Sequence, residues 1–251
     1  MDIVRGVESV GGMDIVREVW HRALATQPAP SGSVVALTAV LAALLVWAPR
    51  AWPITRHVVT IAHEAAHGFV ALLSGRKLHG IRLHSDTSGL TVSAGRTTGP
   101  GMIMTTAAGY VGPGLLGLAA AALLAHHRAV GLLWALLILL ALLLIQVRNW
   151  FGLWSILFSA AVVFGVSWWL QPQVQSAFAY GLTWFLLLAA PRPVLELQAH
   201  RRGTGADHQR SDADQLARLT KLPALVWVGF FLAVTVGALA LGARWMVAAA
   251  A

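Results

Sequence analysis

The chain contains no cysteine. That excludes disulfide staples and any thiolate-bound metal, so a metal ion here needs histidine and carboxylate ligands. Charge is scarce as well. Only 11% of residues are Asp, Glu, Lys or Arg, against about 25% in an ordinary soluble domain, too few to keep a globular surface wet. Carboxylates are scarcer still: residues 33–195 hold two, Glu64 and Asp86. What the chain has in place of charge is apolar length. It is 57% hydrophobic with a mean hydropathy of +0.70, and stretches near 20 residues recur, the length that crosses about 30 Å of hydrocarbon. This is the composition of a multi-pass protein whose solvent is the lipid bilayer.

A net charge of +8 would fit nucleic acid, but no aromatic-basic stripe or nucleic-acid motif accompanies it. The basic residues sit instead in short clusters between apolar runs, as topology signals do. The runs predict seven transmembrane helices, at 33–49, 55–75, 101–126, 129–147, 150–170, 174–191 and 222–246. The expected fold is therefore all-α and polytopic. Residues 1–32 are polar, lack a signal-peptide pattern and read as an N-terminal cytoplasmic segment ahead of a membrane-embedded domain at 33–251. Within them Met1-Asp2-Ile3-Val4-Arg5 recurs as Met13-Asp14-Ile15-Val16-Arg17, a near-repeat best explained by an alternative start. With seven crossings, 14 Lys and Arg fall on the inner side and 4 on the outer, among them Arg50, Arg56, Arg128 and Arg244. That bias puts the N-terminus in the cytoplasm and the chain in the plasma membrane.

Segment 76–100 breaks the apolar pattern. Ile81 and Leu83, then Leu90, Val92 and Ala94, alternate with polar residues around Ser85-Asp86-Thr87-Ser88-Gly89, which predicts a short β-hairpin at the cytoplasmic face. The long polar segment 192–221 is expected to be a cytoplasmic loop.

The second span carries His63-Glu64-Ala65-Ala66-His67. On a helix, residues i and i+4 stack on one face, so both imidazoles can reach one zinc ion at about 2.0–2.1 Å. Glu64 lies about 100° round the helix, close enough to take a proton from zinc-bound water and pass it to a leaving amine. Composition alone would generate such a motif roughly once in 150 chains like this one. An ionisable residue inside a span costs several kcal/mol unless paired or metal-bound, so the location sharpens the signal. A buried His–Glu cluster that glues helices together is the structural alternative.

At this point the sequence resembles the site-2 protease family of intramembrane zinc metalloproteases, in its small bacterial branch. The matching stretches are Thr60-Ile61-Ala62-His63-Glu64-Ala65-Ala66-His67-Gly68, Ser74-Gly75-Arg76, Ser88-Gly89-Leu90-Thr91 and Ala107-Ala108-Gly109-Tyr110-Val111-Gly112-Pro113, with later likeness at Val147-Arg148-Asn149-Trp150-Phe151-Gly152 and Ser211-Asp212-Ala213-Asp214. The resemblance implies cleavage of peptide bonds within or beside transmembrane segments of other proteins, the chemistry of regulated intramembrane proteolysis. It also implies zinc on His63 and His67, with Glu64 as general base.

One departure matters. Better-known members supply a third ligand from an Asp-Gly motif on a later span, and residues 87–195 here hold no carboxylate. Catalytic zinc sites usually have three protein ligands plus water. The candidates are Asp86, Glu196, Asp207, Asp212, Asp214, His57 and His84. Asp212 is favoured, because Ser211 and Asp214 fit a capping box that leaves Asp212 without a structural task. Asn149 is a candidate oxyanion or substrate donor or a helix-end residue, and Gly109, Gly112, Pro113 and Gly114 are expected to let helices pack closely. The hairpin is a candidate platform for an unwound substrate strand, and His126 and His127 are expected at the opposite interface. Two other function classes fit less of this pattern: a metal-binding regulatory membrane protein without catalysis, and a metal or proton transporter, for which no inverted repeat is visible.

Overall fold

The computed structural model describes residues 24–201 and 211–250, together with 17, 20 and 21. The N-terminal near-repeat (apart from Arg17) and Asp207 lie outside the described residues. In chain order the elements are α1 (Gly32–Trp47), α2 (Trp52–Leu73), β1 (Lys77–Leu83), β2 (Gly89–Ala94), α3 (Pro100–Ala125), α4 (Ala129–Gln146), α5 (Trp150–Trp169), α6 (Pro172–Ala189), α7 (Pro191–Arg201), α8 (Asp212–Thr220) and α9 (Ala224–Ala249). Each predicted span corresponds to a helix, with ends shifted by at most three residues.

Among the described residues five or six stretches are long and apolar enough to cross, so the expected count of seven is not confirmed. Five helical stretches are long and apolar enough to cross alone: α3, α4, α5, α6 with α7, and α9. The remaining pair, α1 and α2, passes only as a unit and is bent by 99°. The directions of the helices show what this bend does. Thr38 packs at Gly181 and the Val46 carbonyl meets Arg192, so α1 runs parallel to α6. Gly114 faces Ala190 and Gly117 faces Leu187, so α3 runs antiparallel to α6. Hence α1 and α3 are antiparallel, the relation of consecutive crossings, with α2 bent away between them.

Both ends of α2 lie at one end of the bundle. Trp52 meets Glu196, and Ser74 packs against the start of α3 at Gly101. At the opposite end, Gln27 N donates to His127 O (2.9 Å) and Val130 N to Gln27 Oε1 (3.1 Å). Residue 27 is thus at the far end from the hairpin, and Arg56 is beside Glu196 rather than across the bilayer from it. The alternation expected from seven spans is not supported at this one helix. Its length suits a crossing, but Arg56, Glu64 and three histidines lower its hydropathy, and its direction is fixed by residues about 140 positions away.

The bend is held by side chains. Breaking a helix strands its last carbonyls, which must find donors. Arg192 donates to Val46 O, and Thr55 Oγ1 donates to Leu45 O (3.0 Å). The Arg192 guanidinium also lies 4.4 Å from the centre of the Trp52 ring. Glu196 accepts from Trp52 Nε1 (2.8 Å) and Arg192 Nε (3.1 Å), and pairs with Arg56 (3.4 Å).

In the hairpin, Leu83 pairs with Gly89, Arg82 with Leu90 and Ile81 with Thr91. Directly paired residues share a face, so burial of Ile81 and Leu83 against α5 turns Gly89 and Thr91 inward. Leu90 is 51% exposed and Val92 points outward with it. The apolar positions of β2 therefore face away from the protein. The other edge of β1 is closed by the segment leading into α5: Arg148 N donates to Ile81 O (2.9 Å), and Asn149 pairs through both side-chain atoms with Leu83 N (3.1 Å) and Leu83 O (2.6 Å). Asn149 is engaged as a strand-edge cap, with its amide oxygen and one of its two amide hydrogens committed to Leu83. Arg76, buried at the hairpin base, donates to Ser93 Oγ and Arg96 O.

Candidate metal centre

The site is assembled where α2 crosses α3 and where α8, packed on α3 and α9, brings Asp212 to the histidines of α2. The i, i+4 spacing places His63 and His67 on the face of α2 that meets Gly109. A Cβ at that position would overlap Nε2 of both imidazoles, and one turn on, a Cβ at Gly112 would overlap Ala66. These two glycines are thus required by the close approach of α2 to α3. The first residue of α8 is Asp212. Ser211 caps that helix, accepting from Asp214 N (3.3 Å), and Asp214 is tied to Ser211 (2.5 Å) and to Arg201. Asp214 serves the cap and Arg201, while Asp212 points at the histidines.

Three ligand-type atoms converge there. His63 Nε2 and His67 Nε2 are 3.0 Å apart, and Asp212 Oδ2 lies 3.3 Å from the first and 3.2 Å from the second. These are the only group of three metal-ligating side chains so placed among the described residues. The His67 ring is oriented by its other nitrogen: Nδ1–H donates to Thr105 O (2.7 Å), which leaves the Nε2 lone pair facing the centre. His63 packs edge-on against Tyr110 (4.9 Å), itself stacked on Phe231 (5.1 Å). Burial pushes the Asp212 carboxyl up, but His67 and His63 beside it outweigh that and hold it well below the usual carboxylate range.

Atoms of this kind are held at such spacing by a proton or a metal ion shared among them. Donors about 2.0–2.1 Å from a tetrahedral zinc are about 3.3–3.4 Å from one another, so the observed triangle matches one face of such a tetrahedron to within a few tenths of an ångström. The residues fit a zinc ion with one coordination position left open.

Glu64 is buried, at 5% exposure, and does not join the triangle. Its Oε2 accepts from Thr91 Oγ1 of β2 (2.6 Å). The other candidates are elsewhere: Glu196 is in the bend cluster, His57 lies against Phe151 (5.3 Å), and Asp86 and His84 share Ser88 at the hairpin turn. His126 and His127 are at the far end of the bundle. The contacts that sequence reasoning missed are Thr91 on Glu64 and the Asn149–Leu83 pairing, since neither has a local sequence signature.

A family model described as Peptidase M50B-like matches residues 36–242, more than half of the chain. Comparison with curated proteins gives no match, and comparison with solved structures gives none.

Proposed function

The chain belongs to the Peptidase M50B-like family, a site-2 protease family, and from that premise we propose that it is an intramembrane zinc endopeptidase. It hydrolyses peptide bonds within or next to transmembrane segments of substrate proteins. The observation that supports this most is the convergence of His63, His67 and Asp212 beside a buried Glu64 that remains outside their triangle.

His63, His67 and Asp212 would hold the ion. When bound, zinc supplies a Lewis acid for the scissile carbonyl and lowers the pKa of water toward 7. Glu64 takes a proton from the attacking water at its Oε1, since Oε2 is engaged by Thr91, and delivers it to the departing amine as the C–N bond breaks. His67 keeps its Nε2 free because Thr105 O fixes the proton on Nδ1. Cleavage of a transmembrane substrate by wild-type protein but not by Glu64→Gln tests this reading.

A helix hides its carbonyls, so the substrate must unwind. The backbone groups of Ile81 and Leu83 turn toward residues 148–149, which in an antiparallel pair leaves Arg82 bonded to Leu90 and turns Thr91 N and O to the outer edge. That edge of β2, adjacent to Glu64, would accept an extended substrate as an added strand. Leu90→Pro or Val92→Pro, which unzip β2 from β1, should lower kcat/KM at least about tenfold; unchanged cleavage would sink the strand-addition reading.

Orientation follows from the helix directions. Of the described Lys and Arg from residue 25 onward, Arg50, Arg56, Arg76, Lys77, Arg82, Arg96, Arg148, Arg192, Arg201, Arg218 and Lys221 lie toward the end that carries the site, against Arg128 and Arg244 toward the other. The positive-inside rule then makes the site end cytoplasmic. With six crossings in the plasma membrane, the described residues that flank the bundle, 24–31 and 250, would lie on the non-cytoplasmic face. On this proposal the N-terminal side is the opposite of the one expected from seven spans. Because the chain has no cysteine, single-cysteine variants report cleanly. Ser31→Cys and Ala250→Cys should react with an impermeant maleimide on sealed cells, and Asp86→Cys only after permeabilisation. Labelling of residues 31 and 250 from opposite sides would restore an odd count.

A further inference from the structure

Glu64 is fixed from the hairpin. Thr60 and Glu64 lie one turn apart on α2 and form the surface over which β2 passes. Thr60 Oγ1 donates to Thr87 O (2.9 Å), anchoring the turn of the hairpin. Two residues on, Gly89 rides over the Glu64 side chain, where a Cβ would fall 2.5–2.7 Å from its Cγ, Oε1 and Cδ. Two residues further, Thr91 reaches back with its hydroxyl 2.6 Å from Glu64 Oε2 and 3.0 Å from Glu64 O. Residues 89 and 91 share a face by the two-residue period of a strand, so one stretch of β2 supplies both the space for the carboxylate and the donor that orients it.

A glutamate has three side-chain torsions, and only a carboxylate aimed at the water serves as a base. At a buried position such as Glu64 the alternatives to Thr91 as a partner are few. We infer that Thr91 is a positioning residue for Glu64: its hydroxyl holds Oε2 and thereby presents Oε1 to the site. The strand that would receive the substrate is then the same strand that aims the base. This rests on the reading of Glu64 as the general base.

The test uses the full chain in detergent or liposomes, with kcat and KM for a transmembrane substrate and zinc content measured together. Thr91→Val keeps the β-branched shape and removes the hydroxyl. It should lower kcat about tenfold or more, as misplacement of a reacting group does, with KM within about twofold of wild type and zinc retained, and Thr91→Ser should restore kcat. Glu64→Asp shortens the carboxylate out of reach of Thr91, so adding Thr91→Val to it should cause no further loss, the non-additivity expected of a coupled pair. Wild-type kcat in Thr91→Val, a change confined to KM, or loss of zinc along with activity would each overturn the inference. A wild-type protein that cleaves nothing overturns the protease reading itself, and this inference with it.

Discussion

Glu64→Gln is expected to abolish cleavage while leaving the metal in place. Glutamine has nearly the shape of glutamate, fits beneath Gly89 and can still accept from Thr91 Oγ1 through its carbonyl oxygen. It cannot take a proton. The loss should therefore appear in kcat, by about 10²–10⁴-fold, the usual contribution of a positioned base, with KM little changed because no substrate contact is removed. Zinc should be retained, since His63, His67 and Asp212 are untouched. This combination separates a protease from a metal-binding scaffold. Normal cleavage by Glu64→Gln would mean that another group activates the water.

The helices were legible in the sequence because lipid imposes a strict length and composition on anything that crosses it. The hairpin was legible because alternation and turn residues are local. What could not be read was decided at long range. Whether α2 crosses depends on Arg192 capping Val46 and on Glu196 meeting Trp52 and Arg56, contacts that no window of sequence contains. The face of β2 followed the same rule. Alternation alone does not say which face turns inward; pairing with the buried Ile81 and Leu83 turns Thr91 and Gly89 inward and leaves Leu90 and Val92 exposed.

The candidate site divides in a similar way. His63, Glu64 and His67 form a local pattern. The capping box at Ser211 and Asp214 is also local, and it is present in the structure. The approach of Asp212 to the histidines depends on α8 docking against α3, and the scarcity of carboxylates narrowed the choice without fixing it. Asn149 shows the converse. Its place at a helix start suggested a free donor, but the neighbouring strand takes both of its side-chain atoms.

The central claim is that Asp212 completes a zinc site with the two histidines, and the direct measurement is the metal content of the purified full chain. Wild type should carry about one zinc per chain. Asp212→Ala removes one of three donors at 3.0–3.3 Å spacing, and leaves two neutral imidazoles with no charge to balance the ion. Its zinc affinity should fall by about 100-fold or more, beyond the 10–100-fold cost of losing an outer partner, so that after dialysis it holds little metal, as His63→Ala does. Asp214→Ala, which loses the side-chain bond from Ser211 and the pairing with Arg201 but keeps the backbone cap, should keep its zinc. A wild-type chain without zinc, or an Asp212→Ala chain that retains a full equivalent, would contradict the account.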